Sequence, residues 1–352
     1  MSSQLRSPDA PAITSPAPAR GRRLWAVTCA SAAGILIIGI LDLVIGTPRL
    51  SPQELWLIVS GGGPGIARVI VLQLRLPRFV LGVLAGAMLA LSGALLQGSL
   101  RNPLAGPELL GVSAGATVVV AAITILHLSV LLVLIPWLAL AGGVIAGIAI
   151  ILFMRQRHDS TTLLLTGAAM SALLNAAVIV LISYGSQADI SLLFLFLVGS
   201  LANRTWMDVQ LVLPWAIVCI PLALSFSRLL NIMQLGDDVA RGLGLSLERQ
   251  RVFLLLLASA LVAAVVAVCG PISFVALLVP QLVRRMLRTS DARMVLPSSA
   301  LAGALLLTAA DLLARQLFAP QELPVGIFTA LIGGPALIAL LRGTHYRTRD
   351  TV

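Results

Sequence analysis

Apolar residues run along this chain in long blocks, and arginine, proline, glycine and a few acids gather in the short segments between them. A helix needs about 20 apolar residues to cross the hydrocarbon core of a bilayer. Blocks of that kind fall at about 24–46, 77–97, 108–126, 129–153, 162–183, 209–227, 252–269, 272–287, 295–313 and 325–341. The pattern predicts an all-α polytopic membrane protein with ten transmembrane helices. Gly270-Pro271 and Pro280 interrupt the pair after 252. A further apolar piece at about 190–198 is too short to span and reads as a re-entrant or surface helix. Residues 1–23 are rich in Pro, Ala and Ser and read as a disordered cytoplasmic tail without a signal-peptide cleavage pattern. Residues 24–342 form the ten-helix domain, and 343–352 a cytoplasmic C-terminal tail.

Composition agrees with this picture. Only 11% of residues are charged and the mean hydropathy is +1.02, where soluble domains carry roughly 25% charge. All 24 basic residues are arginine, and there is no lysine. A Walker A phosphate loop and Schiff-base catalysis both need lysine. If ATP drives this protein, another chain must hydrolyse it. The net charge of +10 could suggest nucleic acid, but the arginines are scattered over short loops. Their better use is topology. With the N-terminus inside, eighteen arginines lie in cytoplasmic segments and six outside, so both termini are expected in the cytoplasm.

That orientation puts LGDDVARGLGLSLERQR (235–251), a polar segment between the sixth and seventh spans, on the cytoplasmic side. Asp237-Asp238 are expected to open a short helix that stops at Gly242 or Gly244. Ser246 caps a second one that runs through Glu248 into the seventh span. Two rigid helices at an angle suit a groove on another protein.

Several motifs reduce to helix packing. Gly111-Val112-Ser113-Ala114-Gly115 matches a nucleophile-elbow pattern but starts an apolar helix, and the three histidines lie in three different regions. Asp237-Asp238 lack the further acids or histidines that a metal site needs, and no metal is expected. Cys29, Cys219 and Cys269 sit singly in apolar runs as small buried hydrophobes. The spacings Gly82/Gly86, Gly111/Gly115 and Gly143/Gly147 allow close helix approach.

Intramembrane acids are few. Asp42 falls near the outer end of the first span and Asp311 near that of the ninth, with Arg315 at i+4 as an expected ion-pair partner. No chain of buried acids and histidines suggests proton coupling, which argues against a secondary transporter or channel working alone, the alternative reading. Arg75, Arg78 and Arg315 lie at outer mouths, against the topological bias. Meeting an acidic partner and anchoring lipid headgroups are both open uses.

The run LRLPRFVLGVLAGAMLALSGALLQGSLRNPLAGPELLGVSAGA (74–116) resembles the second and third helices of FecCD-type permeases, the membrane subunits of ABC importers for iron–siderophores, haem and vitamin B12. Segment 235–251, GPISFVALLVPQLVRRMLRTSDARMVLPSSALAGALLLTAADLLAR (270–315) and ELPVGIFTALIGGPALIALL (322–341) agree, in the family's order. The resemblance implies the type II ABC importer fold in the bacterial inner membrane. It also implies a second copy or sibling permease, two ATPase subunits holding ATP and Mg, and a periplasmic or lipid-anchored binding protein. No cofactor is expected on this chain. Asp237, Asp238, Val239, Arg241, Leu243, Gly244, Leu245 and Glu248 would couple to the ATPase, and Arg75, Arg78 and Arg315 would dock the binding protein. Asn102, Leu104, Ser160 and Thr161 would form the cytoplasmic gate. Ferric siderophore is the favoured cargo, ahead of haem and cobalamin.

Overall fold

Each of the ten predicted spans is a helix in the computed structural model, which describes residues 17–46, 51–62, 65–154, 160–243, 246–318 and 322–345. The first span is α1 (Ala17–Val44), followed by short helices α2 (Pro52–Val59) and α3 (Gly65–Val69). Then come α4 (Leu76–Leu100), α5 (Val112–Ile125), α6 (Ile135–Met154) and α7 (Ser160–Ser183). The apolar piece near 190 is α8 (Gln187–Val198), twelve residues long, and α9 (Trp206–Ser225) follows. Two short helices, α10 (Ser227–Gln234) and α11 (Asp237–Gly242), precede α12 (Leu247–Cys269), α13 (Val275–Leu287), α14 (Ala292–Leu317) and α15 (Val325–His345).

The first span begins at Ala17, inside the 1–23 stretch expected to be disordered, and the fourth begins at Ile135 rather than 129, after a 3-10 turn at Leu132–Leu134. Three further boundaries differ for local reasons. The third span starts at Val112 rather than 108, because Pro107–Leu110 forms a tight 3-10 turn and Gly111 then takes a left-handed φ of 63°. The seventh starts at Leu247, five residues before its apolar run, since the four polar residues Glu248–Arg251 continue the helix beyond the oily part. The second is longer still: Gly65 to Leu100 is one continuous helical rod. Residues Ile70–Arg75 within it are wound as π-helix. Pro77 has no N–H and its ring crowds the preceding turn, so the helix widens there and the Leu76 N–H bonds to the Val71 carbonyl.

α4 and α12 form the centre. Nearly every residue of α4 from Leu81 onward is buried, as expected for a helix that is apolar all round. In lipid, helices associate through close packing and interhelical hydrogen bonds rather than through the hydrophobic effect. Gly86 shows how far this goes: a Cβ there would lie 2.3 Å from the Gly303 carbonyl oxygen of α14. At one end of the bundle lie the C-termini of α1 and α14 and the N-terminus of α4. At the opposite end lie the C-termini of α4 and α13, the N-termini of α12 and α14, and the α10–α11 segment.

Candidate transport site: two polar ends and a groove

The α11 end is built on one aspartate. Gly236, at φ 117°, turns the chain, and Asp237 starts α11 with its carboxylate turned inward. Its Oδ1 accepts from Arg101 Nη2 at 2.7 Å and from Arg251 Nη2 at 3.2 Å. Ala240, one turn on, is fully buried. The other face of this short helix points away from the bundle: Asp238, Val239, Arg241 and Leu243 are exposed, with Arg241 Nη1 3.6 Å from Asp238 Oδ1. The predicted coupling set therefore splits into a face turned in and a face turned out. Glu248 is exposed at the start of α12, whereas Gly244 and Leu245 lie outside the described residues.

Of the predicted gate, Asn102 and Leu104 belong to one turn. Asn102 Oδ1 accepts from the Leu104 N–H at 2.8 Å, and the Leu104 side chain is half-exposed. Gln281 of α13 donates to the Pro103 carbonyl in the middle of the turn. Ser160 and Thr161 open α7, but their side chains lie outside what is described.

The opposite end is different. Arg75, Arg78 and Arg315 are only 4%, 7% and 9% exposed. Arg78 makes a two-pronged contact with Asp311, Nε to Oδ2 at 2.8 Å and Nη2 to Oδ1 at 2.9 Å, and reaches Glu322 Oε2 with Nη1 at 2.7 Å. Arg315 donates to the carboxylate of Asp42 on α1, and Arg75 Nη1 donates to the Leu43 carbonyl at 2.6 Å. The expected Asp311–Arg315 pair within α14 is replaced by two interhelical pairs. Bidentate geometry from Arg78 outbids a same-helix neighbour for Asp311, and Arg315 is freed to hold α1. The three arginines thus stand beneath the surface, with Glu322, 43% exposed at its side chain, as the most exposed acid they pair with.

Between the ends, one face carries an open groove of about 640 Å³, lined by Leu197, Val198, Pro271, Ser273, Ile327 and Leu331 among others. It exists because α12 and α13 do not join as one helix. Gly270 at φ 73° and Pro271 end the first, and Phe274, left-handed at φ 68°, begins the second. A bulky residue in that conformation stores strain, which the surrounding hydrogen bonds hold in place: Ser200 N–H to the Cys269 carbonyl at 2.8 Å, and Gly326 N–H to the Gly199 carbonyl at 3.1 Å.

One acidic residue was hidden by the hydropathy pattern. Glu108, in the turn between α4 and α5, keeps part of its surface exposed, but its carboxylate is drawn inward against the Phe274 N–H and the Ser273 hydroxyl. Burial raises its pKa above the usual carboxylate range, and those two hydrogen bonds partly offset the rise. Ser171 of α7 donates to the Glu108 carbonyl at 2.8 Å, so this turn bridges α7 and the α12–α13 break. Its place at the edge of an apolar block was the only signal in the sequence.

The sequence profile of the FecCD transport family matches residues 34–343. Among curated proteins, the Fe(3+) dicitrate transport system permease protein FecD of Escherichia coli is 42% identical over 272 residues, covering 77% of this chain and 85% of its own. The hemin transport system permease protein HmuU of Yersinia pestis is 42% identical over 322 residues, covering 88% and 94%. The cobalamin import system permease protein BtuC of Halobacterium salinarum is 42% identical over 289 residues, covering 81% and 77%. A solved inward-facing structure of a metal-chelate type ABC transporter superposes with a TM-score of 0.80 at 28% identity, covering 90% of this chain and 99% of that one.

Proposed function

The chain belongs to the FecCD transport family and is a membrane permease subunit of an ABC importer; on that premise we propose that it carries an iron chelate inward across the bacterial inner membrane, with ferric siderophore favoured over haem or cobalamin. Relatives of this chain serve ferric citrate, hemin and cobalamin systems. A family with such varied cargo leaves recognition to a separate binding protein, and the apolar lining of the groove, poor in hydrogen-bonding groups, supports that division.

In this reading the α11 end faces the cytoplasm, as the arginine distribution favours, and two permease subunits pair around a central path. ATP and Mg are held by two separate ATPase subunits, and this chain binds no cofactor. The observation that carries the reading is the two-faced α11. It is anchored from within by Asp237 and Ala240, and it projects Asp238, Val239, Arg241 and Leu243 as a mixed apolar and charged edge. Such an edge, standing off an oily bundle, suits a cleft on a soluble subunit. ATP-driven closure of those subunits would push α11 and open the path, in which Asn102, Leu104, Ser160 and Thr161 form the cytoplasmic constriction.

The binding protein would sit on the opposite end. There Arg75, Arg78 and Arg315 lie beneath the surface, balanced in number by Asp42, Asp311 and Glu322, and direct pairing with an acidic partner would require Arg78 to exchange Glu322 for it. The test of the whole reading is reconstitution. Chelate uptake into liposomes should need the ATPase subunits, ATP and the binding protein together. Uptake by this chain alone would sink it in favour of a self-sufficient carrier.

A further inference from the structure

The Asp237–Arg101 ion pair joins segments that lie 136 residues apart in sequence, and what stands on each side of it gives it a role. Arg101 is the left-handed C-cap of α4, at φ 50°, where the chain reverses sharply. That reversal carries its guanidinium over Gly236, with Nη1 3.7 Å from where a Cβ of Gly236 would lie. The residues that follow form a small closed unit. Asn102 Oδ1 holds the Leu104 N–H, and the Asn102 carbonyl accepts from the Ala105 N–H at 3.1 Å. A unit closed by its own hydrogen bonds moves as a body rather than unravelling.

The far side of this body is fastened to α13. Gln281 donates to the Pro103 carbonyl, while one turn back on α4 Gln97 accepts from Arg284 and donates to the Leu277 carbonyl at 3.0 Å. The near side is fastened to α11 through Asp237. The same carboxylate oxygen also receives Arg251, in the first turns of α12. Asp237 is therefore a shared pivot: a displacement of α11 is delivered both to the start of α12 and to the 101–105 turn.

We infer that Arg101 is a positioning residue that transmits displacement of α11 into the Asn102–Leu104 turn, so that the turn follows α11 directly and not only through the intervening helices. The inference rests on the reading that α11 is where the ATPase engages. The pair is partly open to water, with the Arg101 and Asp237 side chains 41% and 26% exposed. Exposed pairs contribute little to stability, so variants of Arg101 will fold and the pair can be probed by function.

The experiment uses the complete reconstituted importer, with whichever of ferric citrate, ferric enterobactin, hemin or cobalamin the wild type carries fastest. Two quantities are read, ATP hydrolysed and chelate delivered, for Arg101→Glu, Asp237→Arg and the double exchange. Arg101→Glu is expected to keep the ATPase subunits bound and hydrolysing at the wild-type rate while chelate delivered per ATP falls about tenfold. The double exchange restores the limb between positions 101 and 237 with its polarity reversed, while Arg251 is left facing a like charge, and it is expected to recover part of what Asp237→Arg alone loses. Delivery per ATP unchanged in Arg101→Glu, or a double exchange no better than the worse single variant, overturns the inference while leaving the importer reading intact. A wild-type chain that neither retains ATPase subunits nor delivers chelate with them overturns both.

Discussion

The two ends of the bundle are closed by the same chemistry, arginine against carboxylate, yet one set is buried and the other is half in water. Arg78–Asp311 and Arg315–Asp42 lie under 10% exposed and tie α4, α14 and α1 together. Asp237–Arg101 and Asp238–Arg241 sit at the surface of the opposite end. Taking charges out of water costs several kcal/mol per ion, so a buried pair holds only while both members stay. An exposed pair loses little when it opens, because water takes over. The first arrangement suits a joint that must not move, and the second suits one that does.

The largest test of this contrast is Arg78→Ala, or Asp311→Ala, which should cost about 3–5 kcal/mol by stranding a buried charge. Denaturant unfolding in detergent would measure it, and the double change to leucine at both positions should recover much of the loss. Equal losses for the single and double variants would show that the pair is worth more than its mutual neutralisation. Next comes Gly86→Leu, expected to cost about 1–3 kcal/mol or to prevent folding by forcing α4 away from α14. A milder result would mean that the buried end tolerates separation of its helices, and the contrast would weaken.

Glu108 stands between the two cases, and its signature is in pH. Burial raises its pKa in the folded chain above the unfolded value, so between those two values the folded state binds more protons. Stability then falls as pH rises through that window. Glu108→Gln removes this slope, so the variant should gain on the wild type as pH rises. A wild-type-minus-variant difference in melting temperature that is flat with pH would contradict the assignment. The smallest effect on stability belongs to Asp238→Ala and Arg241→Ala together, which should leave the unfolding midpoint unchanged while ATP hydrolysis no longer drives uptake. A shifted midpoint with normal uptake would reverse the roles of the two ends.

Much of the scaffold was legible from hydropathy, because a spanning helix announces itself by length and apolar content alone. All ten expected spans appear as helices, seven helices among the described residues being long and apolar enough to cross a bilayer, and the short helix near 190 and the break at Gly270-Pro271 appear as well. Partner choice was not legible. Asp311 and Arg315 have ideal spacing on one helix, but Arg78 lies 233 residues from Asp311 and wins it through geometry that no local pattern encodes. The polar face of α11 was recognisable as a segment, whereas the inward turn of Asp237 depends on the left-handed Gly236 and on where α4 ends. Glu108 was missed because apolar neighbours drew it into a predicted helix, and its importance comes from Ser273 and Phe274, far along the chain.

The π-wound stretch from Ile70 to Arg75 has a consequence for how this family can vary. A π segment is, in register, one residue more than an α-helix needs, and each residue turns a helix by about 100°. Deleting a single residue between Ile70 and Arg75 would let the rod regularise while α3 and α4 keep nearly the same relative direction, because the wide turn already absorbs the extra residue. Trp206, whose indole N–H now donates to the Leu72 carbonyl at 2.7 Å, would then compete with the helix's own ladder for that carbonyl, which the π winding leaves to it because Pro77 has no N–H to offer. The π stretch is therefore a length buffer: it takes up one residue while leaving the α2–α3 cap, α4 and its buried arginines in place.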